Sequence, residues 1–253
     1  MDRKTIAAQL YTLRDYLKTP PEIAKSLKKV RKTGFKAVQV SGMGPIPEKE
    51  LKEILEGEGL VCCATHEPGQ MILENTSKVI DRLHALGCKH TAYPWPHTKP
   101  ESEADYIKLA KDLSEAGKKF AEAGLTLSYH NHAIEFQRFG KRLGLEIIYE
   151  ESDPKYLLAE LDTYWIQHGG GNPATWCKKL PGRMPLIHLK EYGIIKNEVK
   201  MLEIGNGNLN WKKIITSAKN SGTEWFIIEQ DLCRVNPFES LEISLEYLSE
   251  LEV

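Results

Sequence analysis

Eight short apolar runs recur along the chain, most of them closing on polar residues and each followed by a stretch with helical periodicity. The runs are predicted as strands over residues 6–11, 37–41, 60–66, 90–95, 125–132, 156–162, 185–190 and 224–231. The intervening periodic stretches predict helices over 21–33, 47–58, 76–86, 103–123, 143–150, 173–180, 211–221 and 239–251. Gly34, Gly59, Gly87, Gly124 and Gly222 stand just past helices, as left-handed stops do. Strand–helix alternation predicts a parallel sheet covered by helices. Eight repeats in 253 residues predict closure into an α/β barrel of the (β/α)8 TIM type. No Pro/Gly/Ser linker interrupts the pattern, so residues 1–253 read as one domain. The first run is not followed by G-x-G-x-x-G, which argues against an open dinucleotide-binding sheet.

Side chains alternate across a strand, so residues two apart share a face. In 156–162, Leu157, Ala159 and Leu161 share one face, and Leu158, Glu160 and Asp162 the other. In 125–132, Leu125, Leu127 and Tyr129 oppose Thr126, Ser128, His130 and His132. In 185–190, Ile187 and Leu189 oppose Leu186, His188 and Lys190. With the apolar faces on the helices, the C-terminal end of the lumen is expected to present Gln9, Tyr11, Gln39, His66, Trp95, His130, His132, Asp162, His188 and Lys190. Glu229 lies on a less regular eighth run, sharing a face with Trp225, Ile227 and Asp231. A purely structural lumen is filled mainly by Val, Ile and Leu. One this polar is costly unless its groups are paired, hydrated or bound to a cation. The C-terminal mouth is therefore the expected site of chemistry.

His130, Asp162, His188 and Glu229 come from runs five to eight at similar heights. Two imidazoles and two carboxylates suit one divalent ion of Mn, Zn, Co or Fe. Each residue alone has a plainer reading. A strand histidine can be a hydrogen-bonded core group, Asp162 can cap the next segment, and Glu229 can pair with Lys190 or Arg234. Lys190 can bind a substrate oxygen or simply be ion-paired. Tyr11, Trp95 and Trp165 can wall a sugar ring or merely pack. His132 can act as an acid or base, or orient His130. Gly205-Asn206-Gly207 shapes a loop without a P-loop lysine, and no phosphate-binding cluster is evident.

Formal net charge is -1, so no whole-chain basic field draws the protein to nucleic acid or to a membrane surface, and neither partner is expected. Five cysteines form no C-x-x-C pair and read as reduced, with Cys62 and Cys63 buried in a strand. No signal peptide precedes the first run and no apolar stretch nears the ~18 residues of a membrane span, so a cytoplasmic location is expected. No signature on the outer helices speaks for or against a homo-oligomer.

Several motifs resemble the sugar phosphate isomerase/epimerase family, the xylose-isomerase-like barrels. Leu127-Ser128-Tyr129-His130-Asn131-His132 with Glu135-Phe136 resembles its fifth-strand motif, and Leu161-Asp162-Thr163-Tyr164-Trp165 its sixth. Gly182-Arg183 with Ile187-His188-Leu189-Lys190-Glu191 resembles the seventh. Ile204-Gly205-Asn206-Gly207-Asn208-Leu209-Asn210-Trp211 resembles the approach to the seventh helix, and Ile227-Ile228-Glu229-Gln230-Asp231 the eighth strand. Gln9, Tyr11 and His66 also fit, so the resemblance spans nearly the whole chain. It implies a divalent metal held by Glu, Asp, His and Glu. The last three map onto Asp162, His188 and Glu229, while His130 stands in place of the first Glu. Trp165 stands where many relatives have His, and Gln39 where many have Glu.

The family's epimerases and isomerases exchange a proton beside a metal-polarised carbonyl, using two carboxylates on opposite faces. Here Glu229 supplies one, and Glu135 is the candidate for the other. A single base, with His130, His132 or His66 as acid, suits β-elimination equally. The resemblance therefore implies a metal-dependent isomerase or epimerase acting on a small carbohydrate, with an inosose-type dehydratase or keto-sugar lyase as the alternative. Glu229, His132, Lys190 and Glu135 are the candidate catalytic residues, and Gln9, Tyr11, His66, Trp95 and Trp165 the substrate contacts. A non-catalytic sugar-binding barrel is a third reading. An apurinic-site endonuclease is disfavoured by only eight histidines and a near-neutral charge.

Overall fold

The polar strand ends all reach one rim because the eight predicted runs form a closed parallel barrel. A computed structural model describes all 253 residues. Its strands are β1 (Ile6–Gln9), β2 (Ala37–Val40), β3 (Val61–His66), β4 (His90–Tyr93), β5 (Thr126–His130), β6 (Leu157–Asp162), β7 (Leu186–Leu189) and β8 (Trp225–Ile228). They pair in sequence order, and β1 closes the ring by pairing with both β2 and β8. Ten helices surround them: α1 (Pro20–Thr33), α2 (Glu48–Gly57), α3 (Gly69–Glu74), α4 (Thr76–Leu86), α5 (Glu103–Glu122), α6 (Gly144–Glu151), α7 (Thr163–His168), α8 (Pro173–Lys179), α9 (Trp211–Asn220) and α10 (Pro237–Glu250). No helix is long and apolar enough to cross a membrane.

Local chemistry explains where the helices start and what they bury. Ser102 and Asp105 close a capping box on α5: the serine hydroxyl accepts from Asp105 N at 3.2 Å, and the aspartate accepts from Ser102 N at 2.9 Å. On α9, Trp211, Ile214, Ile215 and Ala218 form the buried face. A fully buried side chain of the Ile kind contributes roughly 1.5–3 kcal/mol through removal from water.

Strand parity sorts the interior. Tyr129, Leu127, Leu157, Ala159, Leu161, Ile187 and Leu189 join the main core between barrel and helices. Ala7, Ala37, Cys63, Ala64, Leu186 and Ile227 form a separate small apolar cluster that plugs the lumen floor. Above that plug, two residues further along their strands, stand Gln9, Gln39, His66, His188 and Glu229.

A bulge in β3 matters for the site. Val38 pairs with Cys62, but Gln39 pairs with Ala64, which leaves Cys63 as the extra residue. Cys62 consequently packs outward while Cys63 and Ala64 both face the floor plug. His66, two residues beyond Ala64, is thereby turned into the lumen.

The predicted strands were each one to three residues too long at one or both ends. The first was expected to continue through Tyr11, but the chain turns into a 3-10 helix at Leu10–Tyr16. Gln9 starts that turn by accepting a hydrogen bond from Tyr11 N through its own side chain, at 3.2 Å. Helices α3 and α7 and two antiparallel hairpins, Arg138–Phe139 with Arg142–Leu143 and Glu191–Ile195 with Glu198–Leu202, were not anticipated. The second hairpin rises directly from β7. Its turn residues Lys196 and Asn197 have φ of 50° and 66°, as a tight hairpin turn requires.

Candidate active site

The mouth opens into a cavity of about 580 Å³ walled by Tyr11, His66, Trp95, His130, His132, Lys190 and Glu229, with Glu67 and Asp231 as further carboxylates. Tyr11 and Trp95, expected on strand ends, stand beyond them and are about 40% and 45% exposed, as rim residues would be. Asp162 and His188 are fully buried just beneath.

The four residues expected to bind metal do converge. One ligand atom from each of His130, Asp162, His188 and Glu229 lies within 4.8 Å of the others. Two of the plainer readings hold at the same time. Asp162 caps α7, its Oδ1 accepting from Trp165 N at 2.9 Å. Glu229 pairs with Lys190, Oε2 to Nζ 2.8 Å. Neither role uses up the residue, because Asp162 Oδ2 is buried and accepts no hydrogen bond of good geometry, although Lys190 Nζ stands 3.1 Å away.

Lys190 is 1% exposed, and its ammonium also lies 3.0 Å from Asp231. Burial would depress the lysine, but Asp162, Glu229 and Asp231 outweigh it and hold its pKa well above the ordinary value. Burial alone would raise Glu229, yet Lys190 and then His188 hold it well below the carboxylate range. Asp162 is pushed up to about 6 by burial, with Lys190 opposing and Glu229 reinforcing the rise. His188 donates from Nδ1 to Glu229 Oε2 at 2.9 Å and from Nε2 to Gln39 Oε1 at 2.6 Å. Burial would lower His188, but Glu160 and Glu229 prevail and raise it to about 10. His130 is lowered to about 3, chiefly by burial and by His188, and is neutral at pH 7.

This set fits a divalent cation. His130 Nε2 and Asp162 Oδ2 face each other at 4.0 Å, and Asp162 Oδ2 has no donor in good hydrogen-bond geometry. Around Lys190, three carboxylates oppose one ammonium. The excess of two negative charges matches one dication once His188 yields a proton.

Other expected residues lie elsewhere. Gln9 is fully buried below the cavity, with Nε2 donating to Gln39 Oε1 at 2.8 Å, so it does not reach the wall. Trp165 is not on the wall either; it stands behind His132, ring centroids 5.3 Å apart. Glu135 does not swing toward the ligands. A 3-10 turn, Ile134–Phe136, carries it outward beneath β5, where it accepts from Tyr129 Oη at 2.8 Å and His132 N at 2.8 Å. The expected opposing carboxylate is therefore not Glu135. His132 does line the cavity, where burial first, then His130 and Lys190, lower it to about 2, so it stands there as a neutral imidazole rather than an imidazolium.

Glu135 nonetheless has a measurable signature. Burial pushes its carboxyl up to about 7 from 4.5, against hydrogen bonds from Tyr129 and the backbone. A carboxyl whose folded pKa exceeds its unfolded one binds its proton more tightly when folded. Its stabilising contribution is complete below about pH 4.5 and is lost as pH rises through about 7. Glu135→Gln removes that loss. Between pH 4.5 and 8 the stability gap is expected to move in the variant's favour by up to roughly 3 kcal/mol. Urea denaturation at both pH values measures it, and a pH-independent gap would refute the assignment.

Three groups escaped the sequence reading, Asp231 on the cavity wall among them. Glu160, fully buried below Asp162, carried a signal in sharing its strand face. Glu67 follows β3, where alternation lapses; Arg82 Nε donates to it at 3.0 Å, and burial raises its pKa despite that.

Residues 27–251 match the family model described as xylose isomerase-like TIM barrel. The chain belongs to that family. Among curated proteins it is 28% identical to an inosose dehydratase of Bacillus cereus (strain AH820), over 86% of this chain and 85% of that one. It is 24% identical to an inosose dehydratase of Mesomycoplasma hyopneumoniae, over 90% and 88%. Among solved structures, a sugar phosphate isomerase/epimerase from Parabacteroides distasonis ATCC 8503 superposes with a TM-score of 0.83, at 23% identity, covering 98% of this chain and 94% of that one. That likeness concerns the barrel. The named relatives are enzymes, and the chain is an enzyme of this family rather than a non-catalytic barrel.

Proposed function

We propose that the protein is a metal-dependent dehydratase of a small cyclic or open-chain polyhydroxy ketone. The observation that carries this reading is the buried convergence of His130, Asp162, His188 and Glu229 at the foot of a polar cavity. A divalent ion held by those four would polarise the ketone oxygen. Glu229 takes the proton from the carbon beside the carbonyl. The electron pair forms the new double bond as the β-hydroxyl leaves, and Asp231 protonates it to water. Asp231 faces the cavity, and burial and Glu229 raise its pKa; paired with Lys190 it rests as a carboxylate and must take up a proton before it serves as the acid. Lys190 keeps Glu229 charged and oriented at 2.8 Å until the proton moves. Tyr11 and Trp95 offer ring faces at the rim, and His132 a hydroxyl contact. The likeness to inosose dehydratases supports elimination over isomerisation.

Glu67 favours one second reading. It lines the same cavity as Glu229 from just past β3, and as a second carboxylate there it permits epimerisation. Both readings share the proton abstraction. The test is incubation with Mn, Co, Zn or Fe and a panel of keto-inositols and ketoses in heavy water. Loss of water with a new enone absorbance supports elimination. Deuterium uptake with retained mass composition supports epimerisation. No exchange with any ion, in protein shown to bind that ion, overturns both.

A further inference from the structure

At the foot of the candidate ligands a polar cluster surrounds the fully buried Glu160. Gln39 Nε2 donates to Glu160 Oε1 at 2.7 Å, and His66 Nε2 donates to Oε2 at 2.5 Å. His130 Nδ1 stands 3.3 Å from the same Oε2, its nearest acceptor though not in good hydrogen-bond geometry, and His188 Nε2 stands 3.4 Å from Oε1 while bonding Gln39 Oε1 at 2.6 Å. Gln9 fixes the Gln39 amide by donating to its oxygen at 2.8 Å. Three imidazoles from β3, β5 and β7 thus turn one nitrogen each toward a single carboxylate.

A carboxylate can only accept, so a nitrogen facing it carries hydrogen. For His130 that places the proton on Nδ1 and leaves the Nε2 lone pair toward Asp162 Oδ2. Free imidazole side chains in water prefer the opposite tautomer, so His130 is held in the less favoured form. His188 carries hydrogen on both nitrogens, Nε2 donating to Gln39 Oε1 and Nδ1 to Glu229 Oε2, so Nδ1 becomes free for an ion only when that second hydrogen leaves. His130 Nε2 and His188 Nδ1 face the other two candidate ligands, Asp162 and Glu229.

We infer that Glu160 is a positioning residue that sets the tautomer of His130 and, by holding the Gln39 amide, the ring orientation of His188, presenting His130 Nε2 and His188 Nδ1 to a metal. Its purpose rests on the metal reading above, but the tautomer does not. Gln39 Nε2 needs the oxygen of residue 160 as acceptor. In Glu160→Gln the new amide NH2 is therefore left facing both His66 Nε2 and His130 Nδ1, which must then accept.

The experiment is a long-range 1H–15N correlation spectrum of metal-free, 15N-labelled protein, with Co(II) or Mn(II) affinity by competition in parallel. The wild type is expected to show His130 with hydrogen on Nδ1, and E160Q to move it to Nε2. E160Q is expected to bind the ion ten- to a hundredfold more weakly while retaining one ion per chain and an unchanged Co(II) spectrum, as loss of an orienting partner predicts. A wild-type His130 with hydrogen on Nε2 overturns the inference, and that result stands even if E160Q fails to fold. An unmoved tautomer in E160Q also overturns it. A changed Co(II) spectrum would make Glu160 a ligand rather than a positioning group, using the alternative cluster of His66, His130, Glu160 and His188. A wild type that binds no ion but shows the tautomer switch would overturn the metal reading and leave the positioning role intact.

Discussion

Lys190→Met is expected to destabilise the metal-free protein by about 3–5 kcal/mol, the cost of leaving buried charges without their partner. The ammonium lies within 3.1 Å of carboxylate oxygens on Asp162, Glu229 and Asp231, and it is the cation common to all three. Without it, the three carboxylates repel one another in a buried setting, and Asp162 and Asp231 must take up protons. The loss therefore grows as pH rises above the protonation range of these two groups. A divalent ion on Asp162 and Glu229 supplies charge of the same sign in nearly the same place. Saturating metal is accordingly expected to recover much of the lost stability in the variant and to stabilise the wild type less. Thermal melts of both proteins with and without metal measure this. Equal metal-induced shifts in the two would show that ion and ammonium do not share those carboxylates.

Glu229→Gln is expected to lower kcat by roughly 10³-fold, within the range for loss of a positioned general base. The amide keeps the shape and can still accept from Lys190, so the fold is expected to survive. Because Glu229 is also a candidate ligand, turnover must be measured at saturating ion, with occupancy determined separately. A filled variant retaining more than a tenth of wild-type turnover would remove Glu229 from the role of base.

Much of this was legible from strand alternation. His130, Asp162 and His188 follow from parity alone, since each shares a face with residues two positions back in a run whose other face is apolar. Parity fails where strands end. Tyr11 belongs to a 3-10 turn that Gln9 initiates, Trp95 lies past β4, and Glu67 and Asp231 lie past β3 and β8. Glu135 looked close to the ligands because it is close in sequence, but the turn after β5 folds it under Tyr129. Glu160 was visible on the right face of β6. His66 was expected in the lumen and stands there, but its bond to Glu160 was not legible, because the bulge at Cys63 that sets its register is nothing alternation can signal. Helices α3 and α7 have six residues each, too few for a periodic pattern to stand out.

The small apolar plug of Ala7, Ala37, Cys63, Ala64, Leu186 and Ile227 has a kinetic consequence. It makes the barrel a cul-de-sac, so a molecule bound above Glu160 enters and leaves by the same rim. Product leaving past Tyr11 and Trp95 must vacate the doorway before the next substrate arrives. Accumulated product is thus expected to compete directly with substrate, and turnover to be paced by traffic at the rim once the chemical step is fast.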